Sequence, residues 1–439
     1  MTNAAPKNRR RDVAIGVLVV AWVGVLFWTF TPGLMSPDTL SQYGQGLSGM
    51  YSNAHPPMMS WVMGVFGKTV GSPWPFLLLD LSALAVGMAL LVRDARPATR
   101  WWSMLLFVAF LALPTTWSLG VVLWKDSALG GVLLLTVAAL HSGRLRLALV
   151  LMLGSMLLRH NSAIAVAPFL VFATGKVPAF AASRARRLAA LVGALAVLSV
   201  VPPVIERLSR AEDTCMLCMP ALLDLSAVYI DSPELFPASV FAADVSVADL
   251  KATYSPSTMI FILYGSDPAI HHVNPGFVVS HRTEILSEWL SVIPQRPWAY
   301  LKSRLRFFAY LLGLEGDVFY AFHTGIDSNP WGLTVTHMDS GLHKALRATQ
   351  EAARNSLAFR GWFWLGLSTV FCVVLSLRRP GSLALCTALS GFLFTFTLLL
   401  LAPSADFRYL FWTVMSCFAT AALLLAQPER EPVLTLKPA

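Results

Sequence analysis

The chain has 439 residues, 56% of them hydrophobic and only 13% charged, with a mean hydropathy of +0.62. Soluble domains carry about a quarter charged residues, so this composition excludes an ordinary soluble protein and indicates a polytopic membrane protein. The net charge of +9 falls in short Lys/Arg clusters between apolar runs, which is a topology signal and not a nucleic-acid footprint.

The first apolar run, 13–31, follows Lys7, Arg9, Arg10 and Arg11. It is long enough to span and lacks a small-x-small cleavage signal, so it reads as a signal anchor. Next comes a polar stretch, 32–57, that holds Ser36-Pro-Asp38 and Tyr51-Ser-Asn-Ala-His55-Pro-Pro. Further runs of spanning or near-spanning length lie at 75–92, 102–118, 127–141, 145–158, 162–174, 188–205, 359–377, 381–402 and 407–426. The predicted fold class is therefore all-α, with about 10–12 transmembrane helices counted generously. Trp and Phe, at 14 and 26 residues, suit aromatic belts at both interfaces.

Basic clusters occur at the N-terminus, Arg93–Arg100, Arg144/Arg146, Lys176–Arg187 and Arg378/Arg379. Placing all of them in the cytoplasm satisfies the positive-inside rule and puts both termini there as well. The Asp38 loop, the Lys125-Asp126 turn, Arg159-His160-Asn161 and Asp406-Phe-Arg408-Tyr409 then face outward. Residues 57–70 break this rhythm if they span, so Pro56-Pro57 is read as starting a helix in the outer interface. In 298–314, Lys302, Arg304 and Arg306 alternate with apolar residues, which also favours an interfacial helix. The expected division is a transmembrane module at 1–205, an extracytoplasmic segment at 206–358, further spans at 359–427 and a cytoplasmic tail at 428–439.

The exported segment holds His271, His272, His281, His323, His337 and His343 without tight ligand spacing, so they read as surface histidines. Cys372, Cys386 and Cys417 lie in apolar runs and read as core residues. Cys215 and Cys218 are either a local disulfide or two free thiols, and a single CxxC is too little for a structural zinc site.

Four polar constellations could carry chemistry. Asp38 either caps a short helix or acts as a general base on a hydroxyl, and its polar and aromatic company (Gln42, Tyr43, Tyr51, Asn53, His55) favours the second. His55 is held extended by the prolines that follow and suits substrate positioning. Lys125-Asp126 is either an interfacial ion pair or a substrate contact. Arg159-His160-Asn161 interrupts an apolar stretch, and arginine at membrane depth calls for a cavity or an anion; phosphate matches its forked donors. Arg408 either pairs with Asp406 or meets substrate, with Tyr409 beside it. Asp80 is a lone acid near the outer end of its helix. Outward cations and carboxylates on one membrane face suggest an amphiphilic phosphate, such as a polyprenyl-phosphate sugar, with its lipid lying between helices.

In these pieces and their order the chain resembles GT-C superfamily membrane glycosyltransferases, of the bacterial mannosyl- and aminoarabinosyltransferase type, which use lipid-phosphate sugars as donors. The resemblance implies an inner-membrane, multi-pass enzyme with an extracytoplasmic site and an inverting mechanism. Asp38 would be its base, and cations would stabilise the leaving phosphate. The acceptor would be an envelope glycan, lipid or protein. Family members often carry two adjacent acids in the first loop, whereas Thr39 follows Asp38 here; this leaves the use of a divalent metal open. A lipid-linked sugar flippase and a non-catalytic envelope assembly protein are the competing readings. Internal repeats and charges in mid-helix would favour the flippase, and the sequence shows little of either.

Overall fold

A computed structural model describes residues 9–181, 183–236, 240–241, 245–261 and 275–426. Lys7, His271, His272 and the expected tail at 428–439 lie outside the described residues. The chain is an all-α polytopic membrane protein. Six helices are long and apolar enough to cross a membrane: Arg9–Phe30, Trp74–Arg93, Arg184–Leu208, Gly361–Arg378, Leu383–Leu401 and Phe407–Leu425. A seventh arises if the pair Pro97–Ala112 and Pro114–Gly120, bent by 50°, counts as one broken span. Pro114 causes the break: the residue before a proline avoids helical dihedrals, and Leu113 is extended at ψ 122°. Leu145–Leu158 and Ser162–Lys176 are shorter apolar helices.

The centre of the bundle is α7 (Lys125–His141), whose side chains are almost all buried. It lies beside α4 (Trp74–Arg93), and small residues bring the two close. A Cβ on Gly131 would stand 2.8 Å from Ala83, and one on Gly87 2.8 Å from Leu134. Those pairings advance together along both helices, so α4 and α7 run in the same direction. The spans 383–401 and 407–425 close the other side. By contrast, Arg184–Leu208 lies at the periphery, with only 11% of its apolar window buried inside the protein. One flank packs on Ser162–Lys176, and the rest of its apolar middle is exposed, a surface that fits lipid.

The polar stretch after α1 (Arg9–Phe30) is mostly helix. Pro37 supplies a preset φ at the first helical position of α2 (Pro37–Ser48), and Gly49 ends it at φ 77°. Ser36, and not Asp38, occupies the N-cap position, so capping does not account for the acid. α3 (Pro57–Val70) begins at the second residue of the proline pair and ends at Gly71, φ 71°. At 14 residues it is absent from the candidate spans, as is Pro297–Leu312. α3 folds back on α2 through glycines: a Cβ on Gly46 would stand 2.0 Å from the Ser60 carbonyl oxygen.

Basic residues gather at one end of the bundle. Arg11 reaches the Arg93 carbonyl, and Arg96 Nη2 donates to the Leu424 carbonyl at 2.8 Å. The C-terminal end of α1, with α2 and the starts of α4 and α7, lies at the other end. Segment 206–358 is tied to the bundle by Arg304, which is wholly buried: its Nη1 donates to the Ala402 carbonyl at 3.0 Å, while its Nε lies 2.7 Å from Asp224 of the same segment.

Candidate functional site

The start of α2 is pinned from two sides. Trp124 Nε1 donates to Ser36 Oγ at 2.9 Å, and Thr39 Oγ1 donates to the Leu123 carbonyl at 2.9 Å. On the other flank Met35 donates its N–H to the Gly325 carbonyl at 3.0 Å. Asp38, in the first turn of α2, therefore has a fixed direction. Its Oδ2 accepts from Arg408 Nη2 at 2.7 Å, and its Oδ1 faces His55 Nε2 at 3.9 Å. The side chain keeps 38% of its surface open.

His55 stands where Lys125 Nζ meets its Nδ1 at 2.5 Å. Burial pulls the Lys125 pKa down to about 7; in its ammonium form it has no lone pair, so Nδ1 then accepts and the ring proton sits on Nε2, facing Asp38. Burial and then Lys125 push the His55 pKa down to about 3. For Asp38, burial alone would raise the pKa, but Arg408 and His55 outweigh it and hold the carboxyl well below the usual range. Among the described residues no carboxylate lies within ion-pair distance of Lys125; it occupies the first position of α7, where helix N–H groups favour an anion.

Arg408 is held on both faces. Asp406 Oδ2 accepts from its Nε at 3.0 Å, while the rings of Trp124, Tyr409 and Tyr320 lie 4.8, 5.3 and 5.9 Å from the guanidinium. Of the two sequence alternatives for Arg408, the pairing with Asp406 is present, and the guanidinium also reaches Asp38. Burial raises the Asp406 pKa, opposed by Arg408. Arg159 forms an ion pair with Asp126 and stacks 4.5 Å over Tyr409. His160 Nε2 donates to the Asn53 carbonyl at 3.2 Å, and burial followed by Lys125 pushes its pKa down to about 4. Asn161 lies in the same turn, and its Oδ1 has no hydrogen-bond partner among the described residues.

Asp38, His55, Lys125, Asp126, Arg159, His160, Asp406, Arg408 and Tyr409 therefore form one connected cluster. Tyr51 stands apart from it, its carbonyl accepting from Glu212 N at 2.9 Å. The reading of the segment's histidines as surface groups fails at His323, which is buried. Its Nδ1 accepts from Tyr320 Oη at 2.9 Å and its Nε2 donates to the Met35 carbonyl at 3.1 Å, so it braces the Asp38 helix. His343 is also buried, while His337 stacks on Trp28 and His281 on Phe277. Nothing in the spacing of Tyr320 and His323 signals this, because Met35, which His323 holds, lies 288 residues away. Cys215 and Cys218 form a disulfide, and the other cysteines are buried thiols. Asp80 is buried in α4, and its Oδ2 makes no hydrogen bond among the described residues. Among the described residues no group of three or more His, Cys, Asp and Glu side chains could hold a metal ion. The cluster carboxylates are engaged by guanidinium groups, so the donor set does not fit a metal.

The fold and this cluster define a polytopic α-helical membrane protein with a buried ionic site at one end of its bundle. No family model and no curated protein matches the chain. A solved structure to which it is similar is "Crystal Structure of ArnT from Cupriavidus metallidurans bound to Undecaprenyl phosphate". The likeness covers 93% of this chain and 78% of that one, at 16% identity and a TM-score of 0.35. A likeness of that size assigns neither family nor activity.

Proposed function

We propose that the protein is a membrane glycosyltransferase of the GT-C type that moves a sugar from a polyprenyl-phosphate donor to an extracytoplasmic acceptor, with inversion. The observation that carries the reading is the connected cluster in which an ionised carboxylate with one open oxygen, Asp38, and a lysine without a carboxylate partner among the described residues, Lys125, stand on either side of His55.

The donor phosphate binds Lys125 at the start of α7, aided by Arg159 stacked on Tyr409. The acceptor hydroxyl occupies the gap at Asp38 Oδ1, within reach of His55 Nε2. Its oxygen attacks the anomeric carbon as the bond from that carbon to the phosphate oxygen breaks. Polyprenyl phosphate leaves with the bonding pair, and the hydroxyl proton passes to Asp38. Arg408 keeps Asp38 ionised at the expense of basicity, so proton transfer follows C–O bond formation, when the hydroxyl becomes acidic. The cations offset charge on the departing phosphate. The reading places the site end of the bundle outside the cytoplasm, the basic end inside, and 206–358 as the extracytoplasmic segment.

Asp38→Asn in the purified protein, assayed with a synthetic polyprenyl-phosphate sugar, tests the base. The expected loss is about 100-fold or more in turnover, and unchanged turnover would remove the assignment. Labelling of a cysteine at position 38 from the outer face tests orientation.

A further inference from the structure

The loop that carries His55 has no regular structure of its own, yet His55 must stand within reach of both Asp38 and Lys125. What fixes it lies two residues upstream. Asn53 N donates to the Glu212 carbonyl at 2.9 Å, and Ser52 pairs with Glu212 as an isolated parallel bridge. The Asn53 side chain is fully used. Its Oδ1 accepts from Thr214 N at 2.8 Å and from Thr214 Oγ1 at 2.9 Å, while its Nδ2 donates to Asp213 Oδ1 at 3.1 Å. Asp213 Oδ1 also accepts from Cys215 N at 3.0 Å, and Cys215 is joined to Cys218 by the disulfide. The residues that receive Asn53, 212–214, therefore run directly into the disulfide-closed turn 215–218 and the helix Cys218–Asp231. The Asn53 carbonyl, in turn, holds His160.

We infer that Asn53 is a positioning residue: it locks the His55 loop to residues 212–214, beside the disulfide-closed turn 215–218, and thereby sets where the imidazole stands between Asp38 and Lys125. Its effect on catalysis rests on the proposed reaction, but its effect on His55 does not. His55 is surrounded by Asp38 from α2, Lys125 from α7, Arg408 beside the last span and His160 from the 159–161 turn. Burial and the adjacent Lys125 keep its ring neutral; an imidazole freed from that place regains water and returns toward the ordinary pKa of about 6.5.

The test follows histidine ring resonances of the full chain in lipid nanodiscs across pH, with His55 assigned through His55→Gln. A transfer assay runs in parallel. In the parent His55 stays neutral at pH 5, whereas in Asn53→Ala it titrates near pH 6 and turnover falls about tenfold or more with donor KM little changed. The exchange Asn53→Asp with Asp213→Asn rebuilds the 53–213 bond with donor and acceptor reversed and keeps both Thr214 bonds, giving up the Cys215 N–H bond to Asp213 Oδ1 and the exposed Arg282–Asp213 ion pair, of small value. It is expected to restore the parent titration where Asn53→Asp alone does not. A His55 titration in Asn53→Ala identical to the parent, or an exchange no better than the single variant, overturns the inference. If the parent shows no transfer, the proposed reaction fails while the titration still decides the role of Asn53.

Discussion

Asp38 and His55 share one hollow but respond to acid in opposite senses of charge. Asp38 is held ionised, so its contribution to stability is present above the unfolded carboxyl value of about 3.9 and is lost only as pH falls below it. His55 and His160 are held neutral, at about 3 and about 4, while the unfolded chain protonates them near 6.5. Between those values the unfolded state binds more protons, so stability falls as pH is lowered from about 6.5. Melting temperatures in detergent are therefore expected to drop from pH 7 to pH 5, with Asp38 taking no part. His55→Gln should flatten that drop; an identical slope would mean that the ring is not held neutral in the fold. At this scale the residue types were legible from chemistry, since acid, imidazole and guanidinium at a lipid boundary need partners. Which of them pair was not, because Asp38 and Arg408 are 370 positions apart.

The α2/α3 hairpin is the element that delivers the site. Prolines start both helices and left-handed glycines end them, punctuation that is visible in the sequence. The closeness of the hairpin depends on Gly46 and Gly64, where a Cβ on Gly64 would stand 2.2 Å from the Gly46 carbonyl oxygen. Gly64→Ala is expected to force the helices apart and destabilise by about 1–3 kcal/mol, seen as a lower melting temperature. Gly16→Ala in α1 meets nothing within 4 Å and should leave stability unchanged or slightly raised. Equal effects at both positions would show that the crossing is not tight. The small residues of this hairpin say nothing in sequence about which face they keep clear, since that depends on the partner helix.

Across the whole molecule, Arg304 joins segment 206–358 to the bundle through the Ala402 carbonyl, and Asp224 of the same segment holds its guanidinium in place. Both side chains are 1% exposed, Trp289 Nε1 donates to Asp224 at 2.9 Å, and Arg304 also donates to the Pro220 carbonyl at 3.1 Å. Burial pushes the Asp224 pKa up to about 6 against the pull of Arg304. Asp224→Ala leaves a buried guanidinium without its counter-ion, which costs about 3–5 kcal/mol. The expected result is early protease cleavage within 206–358 at temperatures where the bundle stays intact. Unchanged protection would mean that the segment is held by apolar contacts alone. The alternating basic and apolar residues of 298–314 suggested a helix facing an interface, and Lys302 and Arg306 do stand exposed. Arg304, one residue of the same pattern, turns inward because Asp224 waits there.

The sequence by itself determined that the chain is helical and lives in a membrane. Apolar run length and scarcity of charge decide that locally, without reference to any other part of the chain. It also singled out nearly every charged member of the ionic site, because each polar group near lipid stands out against its neighbours. Tertiary structure alone decided that these groups form a single cluster, that Arg408 serves two carboxylates, and that Asn53, Tyr320 and His323 brace it. It also decided that Cys215 and Cys218 are joined. Those facts depend on distances between segments far apart in the chain, set by close helix packing and by hydrogen bonds whose partners have no fixed spacing in sequence.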